Sequence, residues 1–470
     1  MIGQNLVPQG SVAARVCRFL QGRSVRAYLV GGYVRDRLLG RESHDVDLAV
    51  EGDALGLARA LADWVRGSFV LLDDERGTGR VVTHDEHGQR LFVDFAALQG
   101  KDIIADLSQR DFTIDAVALD IHDLGQFIDP YDGRSDLKAG LVRAVSETAF
   151  RDDPLRTLRA VRLASELGLR IEPRTEELIR RDADLIAAVS AERVRDELSK
   201  TLAQPGAADS LCYLDELGLL GVILPEMESV KGTGQFERSL EVVRALEDLY
   251  AIFHHSPVGA TVPLAIRHSL FAIRYSDRLL SHLSQCTSGD RQRLILLKLA
   301  AFLCIGEGNR HNSVARLVGP ALRRLRFSRG EVSLGQAIAA HWGCPGQLRS
   351  AEAVTRRDVY RFFRDTGGAG LDLLLLFLAD RLAAQGMSSD LDQWKGDLEF
   401  IAVLLRDYYE RHTEVVSPPK LISGGDLLEA FGLAEGPKLG ELLEAVREAQ
   451  AAGEIKTRRQ ALDYVERALL

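Results

Sequence analysis

The sequence predicts an α/β N-terminal palm, a mixed β-sheet with flanking helices, followed by a chain that is helical to its end. Three observations carry this. Tyr28–Val50 alternates a short apolar strand, a paired glycine, a helix and a second strand. Arg80–Thr83 and Leu91–Phe95, joined across the polar segment HDEHGQ, read as a hairpin. From about residue 203 onward, helices recur between polar or Gly-containing joints without a repeat period.

In chain order, residues 11–21 (SVAARVCRFLQ) form an amphipathic helix leading into the strand Tyr28-Leu29-Val30. Gly31-Gly32 punctuate a turn, and a helix over Tyr33–Leu39 stops at Gly40. The strand Asp45–Val50 opens Asp-Val-Asp. Alternation puts Asp45 and Asp47 on one face, with Val46 and Leu48 turned into the core. Two carboxylates side by side repel unless a cation lies between them, and Mg²⁺ favours one or two carboxylates plus substrate phosphates. The plainer alternative is a solvated strand edge. The Gly-Gly turn weighs against it, because bare backbone N–H groups approach a phosphate closely. Ala54–Val65 reads as a helix and Ser68–Leu72 as a strand, followed by a mobile acidic loop around Asp73–Gly79. In the hairpin Asp94 faces opposite to Val93 and Phe95, and a buried Asp is costly to leave unpaired. Pro130 and Gly133 make a turn, and Leu141–Val145 is the last strand expected.

Composition sets bounds. The 470 residues suffice for two to four domains, with 46% hydrophobic and 27% charged residues, as in an ordinary globular chain. A net charge of −9 argues against a protein that coats nucleic acid non-specifically, though not against a local basic groove. The segment MIGQNLVPQG lacks a basic stretch followed by an apolar core, so no signal peptide is expected. No apolar run is long enough to span a bilayer, so no membrane contact is expected. Five scattered cysteines without CxxC spacing read as reduced thiols of a cytoplasmic protein.

The stretch YLVGGYVRDRLLGRESHDVDLAV resembles the signature of the polymerase-β-type nucleotidyltransferases, specifically the class II CCA tRNA nucleotidyltransferase and bacterial poly(A) polymerase family. The resemblance implies Asp45, Asp47 and Asp94 as catalytic ligands of Mg²⁺, a phosphate site shaped by Gly31 and Gly32, and basic support from Arg35 and Arg110. The segment Asp73–Gly79 resembles the family's flexible loop. QRDFTIDA is similar to the family motif RRDFTxNA, which contacts the ribose and phosphates of the incoming nucleotide, here through Arg110 and Asp111. Without the resemblance, an Arg–Asp pair structuring a turn explains the same residues. Two positions depart from the motif. Gln109 removes a positive charge and Asp115, in place of Asn, adds a negative one.

FRDDPLRTLRAVRLASELGLRIEP opens with Asp152 or Asp153 as a helix cap and Pro154 in the first turn. Leu155, Leu158, Val161 and Leu163 supply an apolar stripe, with Arg156, Arg159 and Arg162 between them. A capped helix with a solvated basic face is the bland reading. The stretch also resembles the family motif EDxxR, with Asp152 in place of Glu. That implies nucleotide binding, with Asp153 and Arg156 on the base edge of CTP or ATP. In AERVRDELSKTL, Arg193 and Arg195 either support the nucleotide or primer phosphates, or pair with Glu192 and Asp196.

Relatives often carry an HD-type phosphohydrolase domain next. Here Glu237-Arg238 and Cys304-Ile305 occupy the expected ligand positions, so such a metal site is expected to be lost, and His254, His255 and His311 make no ligand set. Arg323, Arg324 and Arg326 lie without nearby acids, and Arg357 and Arg361 are interleaved with Tyr360, Phe362 and Phe363. Basic residues among aromatics suit RNA, and equally suit a helix with an aromatic core face.

The implied organisation is a nucleotidyltransferase head over 1–146, a nucleobase- and RNA-binding neck over 147–205, a degenerate HD-like body over 206–345 and a helical RNA-binding tail over 346–470. The implied reaction adds CMP or AMP from CTP or ATP to the 3′ end of tRNA by two-metal, in-line transfer. A poly(A) polymerase, a partial enzyme adding only CC or only A, a small-molecule nucleotidyltransferase and a non-catalytic RNA-binding relative stay open. Oligomeric state is not legible.

Overall fold

A computed structural model describes residues 6–23, 25–43, 45–85, 88–255, 274–304, 311–385 and 391–469, with backbone alone for 311–316, 385 and 391. Ile305 and the His311 side chain lie outside the described residues. The chain divides into two compact units, residues 1–197 with 213–223, and residues 198–212 with 224–470.

The first unit is built on a seven-stranded mixed sheet. Its strands are β1 (Ala27–Val30), β2 (Asp45–Val50), β3 (Ser68–Asp73), β4 (Thr78–His84), β5 (Arg90–Ala97), β6 (Ala118–Asp120) and β7 (Phe127–Ile128), in the order β3-β4-β5-β2-β1-β6-β7. Only β2 and β5 pair in parallel within it. Side-chain alternation divides the sheet into two unlike faces. Leu29, Val46, Leu48, Val50, Val81, Val93 and Phe95 join the main apolar cluster with Val16, Phe19 and Leu20 of α1 (Val12–Gln21) and Leu61 of α3 (Ala54–Val65). Ser11 caps α1 by accepting from the Ala14 N–H, and Asp53 caps α3 through Gly56. The opposite face has a smaller apolar patch, Tyr28, Val30 and Ala49 with Leu107 of α4 (Ile103–Ser108). The carboxylates stand on that face.

Three expectations need correcting. The helix after β1, α2 (Gly31–Leu38), starts at the glycines themselves rather than after a turn. The strand expected over Leu141–Val145 as the last is only β8 (Leu141–Val142), and it is not the last, since it pairs in parallel with β9 (Arg170–Ile171). Past it the backbone turns to the RDF segment, where Val145 N–H donates to the Asp111 carbonyl and Phe112 bridges Ala144. The basic helix, α7 (Arg156–Leu167), has no side-chain cap, and Asp153 accepts from the Leu155 N–H one step outside it. Between these elements lie α5 (Gly133–Ala139) and α6 (Ala149–Asp152), and α8 (Pro173–Asp182) follows β9.

Among its described residues the second unit is helical apart from a two-stranded ribbon, Cys286–Ser288 with Arg291–Gln292. Helix Gln235–Phe253 packs on Arg293–Cys304 and Gly370–Gln385. Its interior holds charge in closed pairs. Asp372, with no exposed surface, accepts from Arg293 and His282, and buried Lys298 donates to Glu247 and the Leu202 carbonyl. At the positions expected for HD ligands, Arg238 donates to Asp380, and burial pushes the Cys304 thiol well above its usual range. His254 and His255 end helix Gln235–Phe253.

Helix Arg356–Thr366 buries Tyr360, Phe362 and Phe363 and directs its arginines at helix Pro437–Ala452 and the residues just after it. Arg357 donates to Glu454, Arg361 to Glu448, and Arg364 to both Glu444 and Glu448. Arg324 pairs with Glu226, while Arg323 and Arg326 are exposed. No described helix is long and apolar enough to cross a membrane.

Candidate active site

The parallel register of β2 on β5 sets Asp47 directly beside Asp94, and the antiparallel register of β4 sets Arg80 on the other side of Asp94. The three side chains form a row across three strands, on the face away from the main core. Asp45, two residues before Asp47, shares the face and is exposed at the strand's start, while Asp47 and Asp94 are half-buried. Arg80 grips Asp94 with a two-pronged fork, Nε to Oδ1 at 2.7 Å and Nη2 to Oδ2 at 2.7 Å. Burial, and then the neighbouring Asp94 charge, push the Asp47 carboxyl up to about 6; Asp45 adds to the rise and Arg110 opposes it.

Gly31 closes against this row. Its φ is +64°, and a Cβ there would lie 2.9 Å from Arg110 Nη1 and 3.3 Å from Asp47 Oδ2. The left-handed φ favours glycine, and a Cβ would also have to push aside the ends of the Arg110 and Asp47 side chains. Gly31→Ala is expected to lower stability by about 1–2 kcal/mol, read by urea unfolding; an unchanged midpoint would show that the turn relaxes freely.

Arg35 is buried behind the glycines. It donates from Nη1 to Asp115 Oδ1 at 2.7 Å and from Nε to Asp36. The extra negative charge at Asp115 is therefore matched inside the protein, and its Oδ2 is buried without a partner. Arg110 donates to Asp106 Oδ2 at 3.1 Å. Asp111 accepts from the Phe112 N–H at 2.9 Å and from Arg159 Nε at 2.8 Å. Asp153 accepts from Arg193 Nη2 at 2.7 Å, and Arg156 donates to the carbonyls of Ala149 and Gln109. Arg195 pairs with Asp196.

One cavity of about 970 Å³ gathers Gly31, Gly32, Asp47, Asp94, Arg110 and Asp111 with Asp153, Arg156, Arg159 and Arg193. Asp45, Arg35 and Arg162 are not in its lining, and Arg162 is tied to Glu166 and Glu197. The cavity also takes in Arg76, from the loop after β3, and Asp115, whose Oδ2 has no partner. Arg80 and its fork went unnoticed in the sequence, where the only signal was an arginine in the first strand of the hairpin.

Comparison with known proteins decides the family. Residues 27–143 match the family described as "Poly A polymerase head domain", and residues 168–231 the one described as "Probable RNA and SrmB-binding site of polymerase A". An A-adding tRNA nucleotidyltransferase of Deinococcus radiodurans is 35% identical, over 94% of this chain and 95% of that one. The chain belongs to the class II tRNA nucleotidyltransferase and poly(A) polymerase family. A CC-adding tRNA nucleotidyltransferase of Geobacter sulfurreducens is 32% identical to this family member, over 94% of this chain and 92% of that one. A CCA-adding enzyme of Geobacillus thermodenitrificans is 36% identical, over 45% of this chain and 54% of that one. Among solved structures, a CCA-adding enzyme in complex with CTP shares the fold, with a TM-score of 0.68 and 22% identity over 100% of this chain and 97% of that one.

Nucleotidyltransferases of this family use divalent metals. Among the described residues, no three His, Cys, Asp or Glu side chains already converge as a ligand set. The donor chemistry nevertheless fits such an ion. Three carboxylates share one sheet face, and Asp47 carries a raised pKa that a cation beside it would relieve.

Proposed function

We propose that this chain transfers CMP or AMP from CTP or ATP to the 3′ end of tRNA. The observation that carries the reading is the shared cavity, in which the Asp47–Asp94 pair and the Gly31-Gly32 start of α2 meet Asp153 and Arg156. Asp45, Asp47 and Asp94 would hold Mg²⁺, which when bound activates the primer 3′-OH and neutralises the leaving oxygen. Arg110 and the N–H groups of the glycine turn hold the triphosphate, while Asp111 and Arg159 fix each other beside the ribose. Asp153 accepts from the exocyclic amine that C and A both carry, and Arg156 donates to a ring or carbonyl acceptor. Residues 1–146 act as head, 147–205 as neck, 206–345 as a degenerate HD-like body and 346–470 as tail. RNA contact is assigned to Arg193, Arg195, Arg323, Arg324 and Arg326. Arg357 and Arg361 reach RNA only by leaving Glu454 and Glu448. Five free cysteines support a cytoplasmic site of action.

A second reading is favoured by a specific observation. By sequence, A-adding and CC-adding relatives align over 94% of this chain and a CCA-adding relative over 45%, although a solved CCA-adding enzyme shares the fold over the whole chain. A partial enzyme, adding CC alone or A alone, is the form the sequence alignments favour. Primer extension decides between them. Purified protein is given tRNA ending before CCA, after C or after CC, with Mg²⁺ and each NTP. Growth stopping at CC, or requiring a CC end, marks the partial enzyme, and growth from the bare end through CCA marks the complete one. An open-ended A ladder would mean a poly(A) polymerase, and bound tRNA without incorporation would leave an RNA-binding relative.

A further inference from the structure

Arg80 is a cation of the carboxylate row that the mechanism above leaves unused. It stands in the carboxylate row, on the side of Asp94 away from Asp47, with one guanidinium nitrogen on each Asp94 oxygen at 2.7 Å. Its guanidinium also lies 5.0 Å from the Phe92 ring centroid, so the planar group is held from two directions. A fork of this kind occupies the lone pairs through which a carboxylate best binds a metal. Arg80 is also about one-third exposed, with its side chain at 35% relative accessibility against 22% for Asp94. It therefore has a solvent-side route off Asp94 that Arg35, buried between Asp36 and Asp115, lacks.

We propose that Arg80 is a positioning residue that competes with the divalent ion for Asp94. It holds the carboxylate in place and balances its charge until an ion arrives, then gives up at least one arm of the fork. This rests on the reading that Asp47 and Asp94 hold the ion. Of the half-buried pair, Asp94 carries the guanidinium fork and Asp47 carries none, so an ion would enter on Asp47 and complete its shell by displacing Arg80. A nucleotide that brings its own ion on the triphosphate achieves that displacement more readily than the free ion. Arg80 thereby ties ion capture to nucleotide arrival.

The test uses the full-length protein and Mn²⁺, titrated by electron paramagnetic resonance without nucleotide or RNA. Arg80→Ala is expected to bind Mn²⁺ roughly two- to five-fold more tightly than wild type, the scale of a partly exposed charge pair. Arg80→Lys, which keeps the charge without the fork, is expected to fall between them. In EDTA the Ala variant should melt lower than wild type, and the rise in Tm on adding Mn²⁺ should be larger. Mn²⁺ binding that is unchanged or weaker in Arg80→Ala overturns the proposal and leaves Arg80 a cross-strand brace. Should Arg80→Ala fail to fold, Arg80→Lys carries the same comparison. Asp47→Asn and Asp94→Asn separate the two layers. If neither weakens Mn²⁺ binding by the parent protein, the metal-site reading itself falls, and the competition with it.

Discussion

Asp47→Asn is expected to abolish nucleotide transfer, by at least about a thousand-fold, while making the protein more stable in EDTA at pH 8. The two effects have one cause. Burial and the Asp94 charge raise the Asp47 carboxyl from 3.8 to about 6 in the folded protein. Between those values the unfolded chain ionises this group more readily than the native state does, so stability is lost as pH rises from about 4 through about 6. Asn keeps the shape and carries no charge to bury. Its gain is about 1 kcal/mol at pH 8, roughly 2–4 °C for a unit of this size. The gain should shrink at pH 5 and close near pH 3, where the wild-type carboxyl is largely protonated in both states. Melting curves at the three pH values, beside primer extension, provide the check. A variant that loses activity and is equally destabilised at every pH would mean that Asp47 is a packing residue.

Asp153→Ala should leave catalysis running but blur its choice of base. Discrimination of CTP or ATP against UTP and GTP is expected to fall by about ten- to a hundred-fold in the ratio of kcat/KM. Asp153 is held by Arg193 and by the Leu155 N–H, so its carboxylate presents a fixed acceptor to an exocyclic amine. Uracil and guanine offer a carbonyl there, and two acceptors repel. Arg156→Ala, by contrast, should lower kcat/KM for every nucleotide used, since it removes a donor without adding a preference. If Asp153→Ala keeps the wild-type ratio with a uniformly lower rate, selection lies elsewhere in the cavity.

Local chemistry was legible in the sequence wherever period and punctuation agreed. The strand Asp45–Val50 and the helix Ala54–Val65 have the expected bounds, the first from strict alternation and the second from an amphipathic run after Asp53. Alternation also turned Asp94 away from Val93 and Phe95, onto the face that Asp47 occupies. What could not be read was which distant partner each charge finds. Arg159 meets Asp111, and Arg364 meets Glu444 and Glu448, through folding that no local window contains. The hairpin was recognised but its register was not, and register alone sets Arg80 on Asp94. The strand expected over Leu141–Val145 was cut short because Ala144 donates to the Thr175 hydroxyl and Thr113 to the Arg143 carbonyl, hydrogen bonds that propensity does not anticipate.

The C-terminal segment is fastened in a way that separates its own cohesion from its attachment. Ile422, Leu427, Leu442, Val446, Ala449, Ile455, Ala461 and Val465 close a private apolar cluster. Helix Arg356–Thr366 grips this segment mainly by the arginine–glutamate contacts at its rim and the Tyr360 hydroxyl on Glu444. Ionic strength acts on these two kinds of bond in opposite directions. Added salt screens rim pairs and leaves apolar burial intact or stronger. The segment thus has the makings of a foldon, a piece that opens cooperatively at a free energy below that of global unfolding. Its protection against hydrogen exchange would then track the salt concentration, while that of the sheet carrying Asp47 would not.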